Sequence, residues 1–290
     1  MSWRNDLARV GLTEALHIRT AHNIKLYEPI CPYDLAEKLD IRVYFDAMPS
    51  MEGAYINDEP PRIILSALRP SGRAAYTCAH EIGHHVFNHG SRIDELFENP
   101  DKIQQNRDEF LADVFAGFLL MPKLAVSYGF SQRKWSINDF TPEQAFVVAG
   151  WLGVGYTTLI NHICYSFRLI SSDKAKELCK VPLKKIKRNL FGRDIEENVL
   201  LVDRYWIGRP IDIQVGDTVV FQEDIILDEK IYNPMSVSSE KREFQGLHPG
   251  ITRFYNSDRS WSAFVRVSRK EYTGQARFRH LEDPEHESTS

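Results

Sequence analysis

The sequence predicts an α+β fold in which a helical domain with a small mixed sheet precedes a mainly β C-terminal domain. Three observations carry that expectation. Apolar residues recur at helical spacing through much of the first 170 positions. Short β-rich runs separated by turn signals fill the chain from about 185. Between them lies a basic run, Lys180 to Arg188, where the texture changes. At about 150 residues per domain, 290 residues suit two domains, each able to bury a core.

In chain order, residues 5–22 place Leu7, Val10, Leu12, Leu16 and Ile18 at helical spacing, which predicts a first helix. Pro32 opens a second, Tyr33 to Leu39, at the first-turn position that tolerates proline. Ile41 to Phe45 and Arg62 to Ser66 read as strands, the latter preceded by Pro60-Pro61. A helix is expected from Arg73 to about Asn88, and another from Gln104 to Leu120, stopped at Met121-Pro122 because proline cannot continue it. A helical pair between Thr141 and Leu169 is joined at Gly153-Val154-Gly155. Further on, Asn198 to Val202, Ile211 to Val215, Thr218 to Phe221 and Ser262 to Val267 read as strands. Turn signals at Gly216-Asp217, Asn233-Pro234 and Pro249-Gly250 separate several of them. The resulting organisation is a first domain over 1–170, a linker over 171–184, a β-rich domain over 185–280 and a polar, disordered tail over 281–290.

Composition narrows the classes. With 43% hydrophobic and 26% charged residues, the chain is neither disordered nor coiled coil. No apolar run approaches the ~20 residues of a membrane helix. The nearest, Ala145 to Tyr156, is short and broken by three glycines. Charge near the N-terminus, where a signal peptide has its apolar stretch, predicts a protein that stays in the cytoplasm and engages no membrane. Cys31, Cys78, Cys164 and Cys179 form no C-x-x-C pair and read as buried small hydrophobes in a reducing compartment. Divided at residue 170, the first part holds 16 basic and 20 acidic residues and the second 20 of each, so neither has a nucleic-acid binder's basic excess. The run Lys180 to Arg188 reads as a solvated linker or helix end.

The segment that carries chemistry is Ala79-His80-Glu81-Ile82-Gly83-His84-His85, an H-E-x-x-H on an expected helix. Positions i and i+4 project from one helical face, so His80 and His84 can address one zinc ion. Glu81 sits one residue along, near enough to act on a water without being a ligand. Zinc needs a third protein ligand and an open position. Glu109 and Asp113, again i and i+4, lie on the next helix. Glu109 would complete a His₂Glu set holding one zinc per chain, and Asp113 could accept the ring N–H of a ligating histidine. Taken without the upstream motif, the same acidic pair reads as surface charge. His85 falls about 100° round the helix from His84 and reads as an outer or surface histidine. His89 suits the helix end near Gly90 or a substrate contact.

With these residues in view, the chain resembles the ImmA/IrrE family of zinc metallopeptidases. The likeness rests on H-E-I-G-H-H followed about 25 residues later by E-x-x-A-D-x-F-A-G-F-L-L-M-P. Upstream, Pro32 to Leu39 resembles that family's first helix, and Glu52 to Tyr55 with Arg62 to Ser66 its sheet edge. The likeness covers approximately 30–165. It implies a gluzincin-like site on a helix pair, with His80, His84 and Glu109 as zinc ligands and Glu81 as catalytic base. It also implies a cytoplasmic protease acting on helix-turn-helix transcriptional repressors to derepress genes. Residues 141–169 are similar to the family's helix-turn-helix-like segment. With Arg168 the nearest cation, that segment reads as structural or partner-binding, and direct DNA binding is not expected. The β-rich region resembles no part of the family.

The expected chemistry is metal-assisted peptide hydrolysis with Glu81 as base. Tyr76, His89 and Tyr128 are candidates for oxyanion or substrate contacts, and the sequence does not choose among them. An extended substrate could add to an edge strand at Arg62–Ser66. Two other classes stand beside the peptidase: a DNA-binding or regulatory module with a structural or sensing metal site, and an effector whose β domain gates the protease.

Overall fold

The helical spacing of the first residues becomes helix α1 (Ser2–Ala21) in the computed structural model, which describes residues 2–95, 106–206, 208–227, 235–237 and 242–281. Its most buried side chains include Ala15 and, against expectation for a cation, Arg19. That guanidinium is spent on backbone. Nη1 donates to the Leu119 carbonyl at 2.6 Å, and Nη2 donates to the carbonyls of Lys25 and Glu28. Burial lowers its pKa to about 10, which leaves it charged at neutral pH. Arg19 thereby ties α1 to the C-terminal end of α4 (Arg107–Leu120).

α2 (Pro32–Lys38) starts at its proline and leads into a five-stranded sheet. The strands are β1 (Arg42–Asp46), β2 (Met51–Ile56), β3 (Arg62–Ser66), β4 (Arg92–Glu95) and β13 (Gly274–Gln275), in the order β13-β1-β3-β2-β4. β3 is central: it runs parallel to β1, with Val43 opposite Ile63, and antiparallel to β2, with Ala54 opposite Ile64. The expectation of an open edge at Arg62–Ser66 is therefore overturned. β2 takes one side of β3 through a hairpin and β1 the other, so both rows of backbone groups are used. The edges of this sheet are β4 and β13.

α3 (Ser71–Val86) lies against this sheet and against α4. The α4 helix begins at Asn106, whose side chain accepts from the Asp108 N–H at 3.0 Å and so satisfies one of the free donors of the first turn. Pro122 ends α4, as expected, but also starts α5 (Lys123–Ser131), because proline lacks only a donor that a first turn does not need. Among the described residues, the run Arg107–Ser131 is long and apolar enough to match a membrane span by composition, and Pro142–Leu152 with Tyr156–Ser166 matches only when the two bent helices are taken together. The apolarity of Arg107–Ser131 follows from burial: most of it is inside the fold, with Phe115, Ala116, Leu119 and Phe130 fully enclosed.

α6 (Pro142–Leu152) opens with reciprocal Thr141–Gln144 capping bonds and closes at Gly153, whose φ of +74° suits a residue without a Cβ. α7 (Tyr156–Asn161) follows after a bend of 102° and runs into a π-helical turn, His162–Ser166. His162 is buried there, and its Nε2 donates to the Met121 carbonyl at 3.0 Å. The stretch 171–184, expected as a linker, carries α8 (Ser172–Cys179) and the start of α9 (Leu183–Phe191). Two cations of the basic run are committed locally. Lys187 reaches the Glu197 carbonyl at 2.5 Å, and Arg188 pairs with Asp194.

The chain divides into two units, one of residues 1–180 with 273–276, the other of 181–272 with 277–290. The second unit is built on two four-stranded sheets. One holds β5 (Val199–Val202), β7 (Thr218–Phe221), β10 (Glu243–Gly246) and β9 (Met235–Val237) in that order. The other holds β6 (Pro210–Gln214), β12 (Ser262–Ser268), β11 (Gly250–Asn256) and β8 (Ile225–Leu227). Phe221, Phe244, Phe254 and Trp261 meet in its core at centroid separations of 5.0–6.0 Å. The fold is thus α+β with a β-rich C-terminal region. The tail expected over 281–290 lies, from 282 onward, outside the described residues.

Burial lowers the His162 pKa to about 4, although its bond to the Met121 carbonyl opposes the shift. The unfolded chain binds a proton there below about pH 6.5, the folded chain only below about 4. Stability therefore rises with pH through that window, by on the order of 3 kcal/mol from this residue. Urea unfolding of wild type between pH 4 and 7 should show a rise of that sign, and His162→Gln should reduce it, leaving the share of His280, which burial likewise lowers to about 4.

Candidate metal centre

The site forms where α3 and α4 lie side by side and antiparallel. Tyr76 and His80 face Asp113, while His84 faces Glu109. The helices approach closely because α3 has no side chain at the crossing. A Cβ on Gly83 would lie 3.0 Å from Ala112 Cα and 3.2 Å from a ring carbon of Phe115. A glycine inside a helix costs about 1 kcal/mol relative to alanine, so here close approach outweighs propensity.

The helical period then does its work on both sides. His80 and His84 present their Nε2 atoms 3.0 Å apart, with Glu109 Oε2 3.2 Å from the first and 3.5 Å from the second. One ligand atom from each of the three residues lies within 4.8 Å of the other two. All three are buried. Asp113 Oδ1 lies 3.0 Å from His80 Nδ1, on the side of that ring facing away from the cluster.

Burial works to lower the His80 pKa, but hydrogen bonds to Asp113 and Glu109, and the charge of Glu81, outweigh it and raise it well above its ordinary value. Burial likewise works to raise Glu109, and its contacts with His80 and His84 overcome that and hold its carboxyl far below the usual range. The cluster by itself thus calls for a positive charge among its carboxylates. Two imidazoles and a carboxylate, buried, converging and electron-rich, fit a divalent cation of zinc's preferences.

Glu81 is fully buried beside this trio, against β2. Its carboxylate occupies room that β2 leaves: a Cβ on Gly53 would lie 2.8 Å from Glu81 Oε1 and 2.6 Å from Thr77 Cγ2. Next to Gly53, Glu52 is gripped by Arg69 Nε at 3.1 Å and Arg73 Nε at 2.7 Å, which fixes β2 against the beginning of α3.

The remaining sequence candidates fall in different places. Tyr76, one turn before His80, donates its hydroxyl to the Asp113 carbonyl at 3.2 Å, and burial pushes its pKa far up. It borders the cluster. The ring contacts of Tyr128 are with Tyr27 and Trp151, and no described contact joins it to the histidines. His89 turns back onto the helix, its Nδ1 2.9 Å from His84 Nδ1. Its Nε2 lies 3.7 Å from Asp108 Oδ1, and Asp108 in turn pairs with Arg92 on β4 at 2.6 Å. His85 leaves the cluster and meets the Tyr55 hydroxyl at 2.8 Å, and burial lowers its pKa. Gly53, Gly83 and the Asp108–Arg92 pair were not singled out from the sequence. The glycine inside H-E-I-G-H was the available signal for one of them; the others depend on contacts between separate elements.

A buried His-His-Glu cluster on two helices, with a further glutamate beside it, is the donor set of a metallopeptidase-type enzyme. Residues 36–156 match the family model described as IrrE N-terminal-like domain, Peptidase_M78, so this segment is similar to the ImmA/IrrE peptidases. No curated protein matches the chain.

Gly53→Ala tests how Glu81 is seated. The added methyl displaces that carboxylate while leaving His80, His84 and Glu109 in place. Peptidase turnover should fall about 100-fold, the scale of a misplaced catalytic group, with metal content unchanged. Equal loss of metal would place the damage in the ligand set instead.

Proposed function

We propose that the chain is a zinc-dependent endopeptidase of the cytoplasm that cleaves a helix-turn-helix transcriptional repressor and so derepresses genes. The observation that carries the reading is the convergence of His80 Nε2, His84 Nε2 and Glu109 Oε2 beside buried Glu81 in the family-matched segment. His80, His84 and Glu109 would hold the ion. When bound, zinc would supply a Lewis acid that polarises the scissile carbonyl and brings the pKa of a water to near 7.

The protein's own groups account for the rest. Glu81 takes the proton of the attacking water and delivers it to the leaving amine. Its burial keeps competing water from the carboxylate and places proton transfer in a low-dielectric setting. Asp113 holds the His80 ring so that Nε2 presents its lone pair to the cluster. Tyr76, one turn before His80, offers a hydroxyl for a developing oxyanion, provided it exchanges its bond to the Asp113 carbonyl for the substrate. Of the two edges of the sheet, β4 is joined to α4 through Arg92 and Asp108, so an extended substrate would pair there.

One observation supports a second reading, a DNA-binding or regulatory module with a structural or sensing metal. The 102° turn between α6 and α7 is within the range of helix-turn-helix pairs. Salt-sensitive binding of duplex DNA at low ionic strength would favour it, and its absence there would remove it.

The peptidase reading is checked by metal analysis beside a cleavage assay. Wild type should carry one zinc per chain and cut a purified helix-turn-helix repressor at a defined bond. His84→Ala and Glu109→Ala should lose the metal, whereas Glu81→Gln should keep it and lose at least 1,000-fold in turnover. A folded wild type that takes up no zinc would overturn the reading.

A further inference from the structure

The two imidazoles of the cluster are oriented by different means, and the second means has no part in the reading above. His80 faces a carboxylate directly. His84, whose side chain is fully buried, faces another histidine, His89, at 2.9 Å between the two Nδ1 atoms. Imidazole nitrogens meeting at that distance need one proton between them, and its owner decides whether His84 can bind a metal. If His89 Nδ1 carried the proton, a neutral His84 would carry its own on Nε2, the atom aimed at His80 and Glu109.

We infer that His89, Asp108 and Arg92 form a positioning chain that sets the tautomer of His84. The inference rests on the metal-site reading. Arg92 Nη2 donates to Asp108 Oδ2 at 2.6 Å, a charge-assisted pair in which the carboxylate accepts. Its other oxygen faces His89 Nε2 at 3.7 Å, which favours a proton on that nitrogen. A His89 with its single proton on Nε2 has a lone pair on Nδ1. His84 must then donate from Nδ1, which frees its Nε2 lone pair for the cluster. The result at His84 matches that at His80, reached through one extra ring.

The residues of this chain come from three elements: β4 supplies Arg92, α4 supplies Asp108, and the turn after α3 supplies His89. Neither Arg92 nor His89 belongs to the three residues that converge. Phe87 stacks on the His89 ring at 5.8 Å and 24°, which limits the orientations open to it.

Two measurements test the inference, the first without any metal. Long-range proton–nitrogen spectra of the histidine side chains in metal-free protein should show His84 protonated at Nδ1 and His89 at Nε2. In Asp108→Asn, His89 should lose that preference. The second measurement is zinc affinity by chelator competition. His89→Phe should weaken it 10–100-fold, the range for loss of a ligand's outer partner, and His89→Gln, whose amide oxygen can accept from Nδ1, should recover part of the loss. Circular dichroism establishes that each variant is folded, and Asp108→Asn serves if His89→Phe is not. His84 protonated at Nε2 in wild type, or unchanged zinc affinity in folded His89→Phe, would overturn the proposal. If wild type binds no zinc, the metal reading fails, while the spectra alone still decide the chain.

Discussion

Everything at the candidate centre depends on how closely two helices can approach. The i, i+4 spacing puts two imidazoles on one face of α3 and two carboxylates on one face of α4, yet neither pair alone makes a site. They meet because Gly83 offers no Cβ to Ala112. A larger residue would force the helices apart, and lengthening contacts of 3.2 and 3.5 Å by an ångström would take Glu109 out of reach. Position matters as much as identity: the glycine lies between the two histidines, at the level where separation would do most harm.

Around this contact the molecule spends its buried charge in a consistent way. Arg19 is enclosed and satisfied by carbonyls of the α4 end and of the loop after α1. Glu52 is enclosed between two arginines and secures the strand that faces Glu81. Breaking such an arrangement at one partner costs more than the pair contributes, because the remaining charge is left without compensation. The helix and strand that flank the centre are therefore held by specific polar anchors as well as by apolar packing.

Local signals in the sequence reached far. Arg62–Ser66 forms a strand with the bounds read from β-propensity and the preceding prolines, and the α4 stop falls at Pro122. The convergence of His80, His84 and Glu109 was legible because helical spacing translates directly into a shared face. Order within the sheet was not legible: nothing in Arg62 to Ser66 tells that β1 returns parallel alongside it, so an edge was expected where the centre lies. Pro122 does stop α4, and the same residue also begins the next helix, which a stop signal alone does not tell. The contacts that lead from His84 to His89, from His89 to Asp108 and from Asp108 to Arg92 draw on the turn after α3, on α4 and on β4, and no single stretch of sequence contains them.

The strand β13 has a consequence for how the molecule is made. Gly274 and Gln275 pair with Phe45 and Tyr44, so the outer border of the first sheet is supplied by residues some 230 positions downstream. During synthesis β1 must wait, its hydrogen-bonding edge open, until the whole β-rich region has left the ribosome. The same holds for any attempt to excise residues 1–180 as a free-standing catalytic fragment. Such a fragment carries the complete histidine and glutamate cluster together with a bare strand edge, the kind of surface on which chains stack into aggregates.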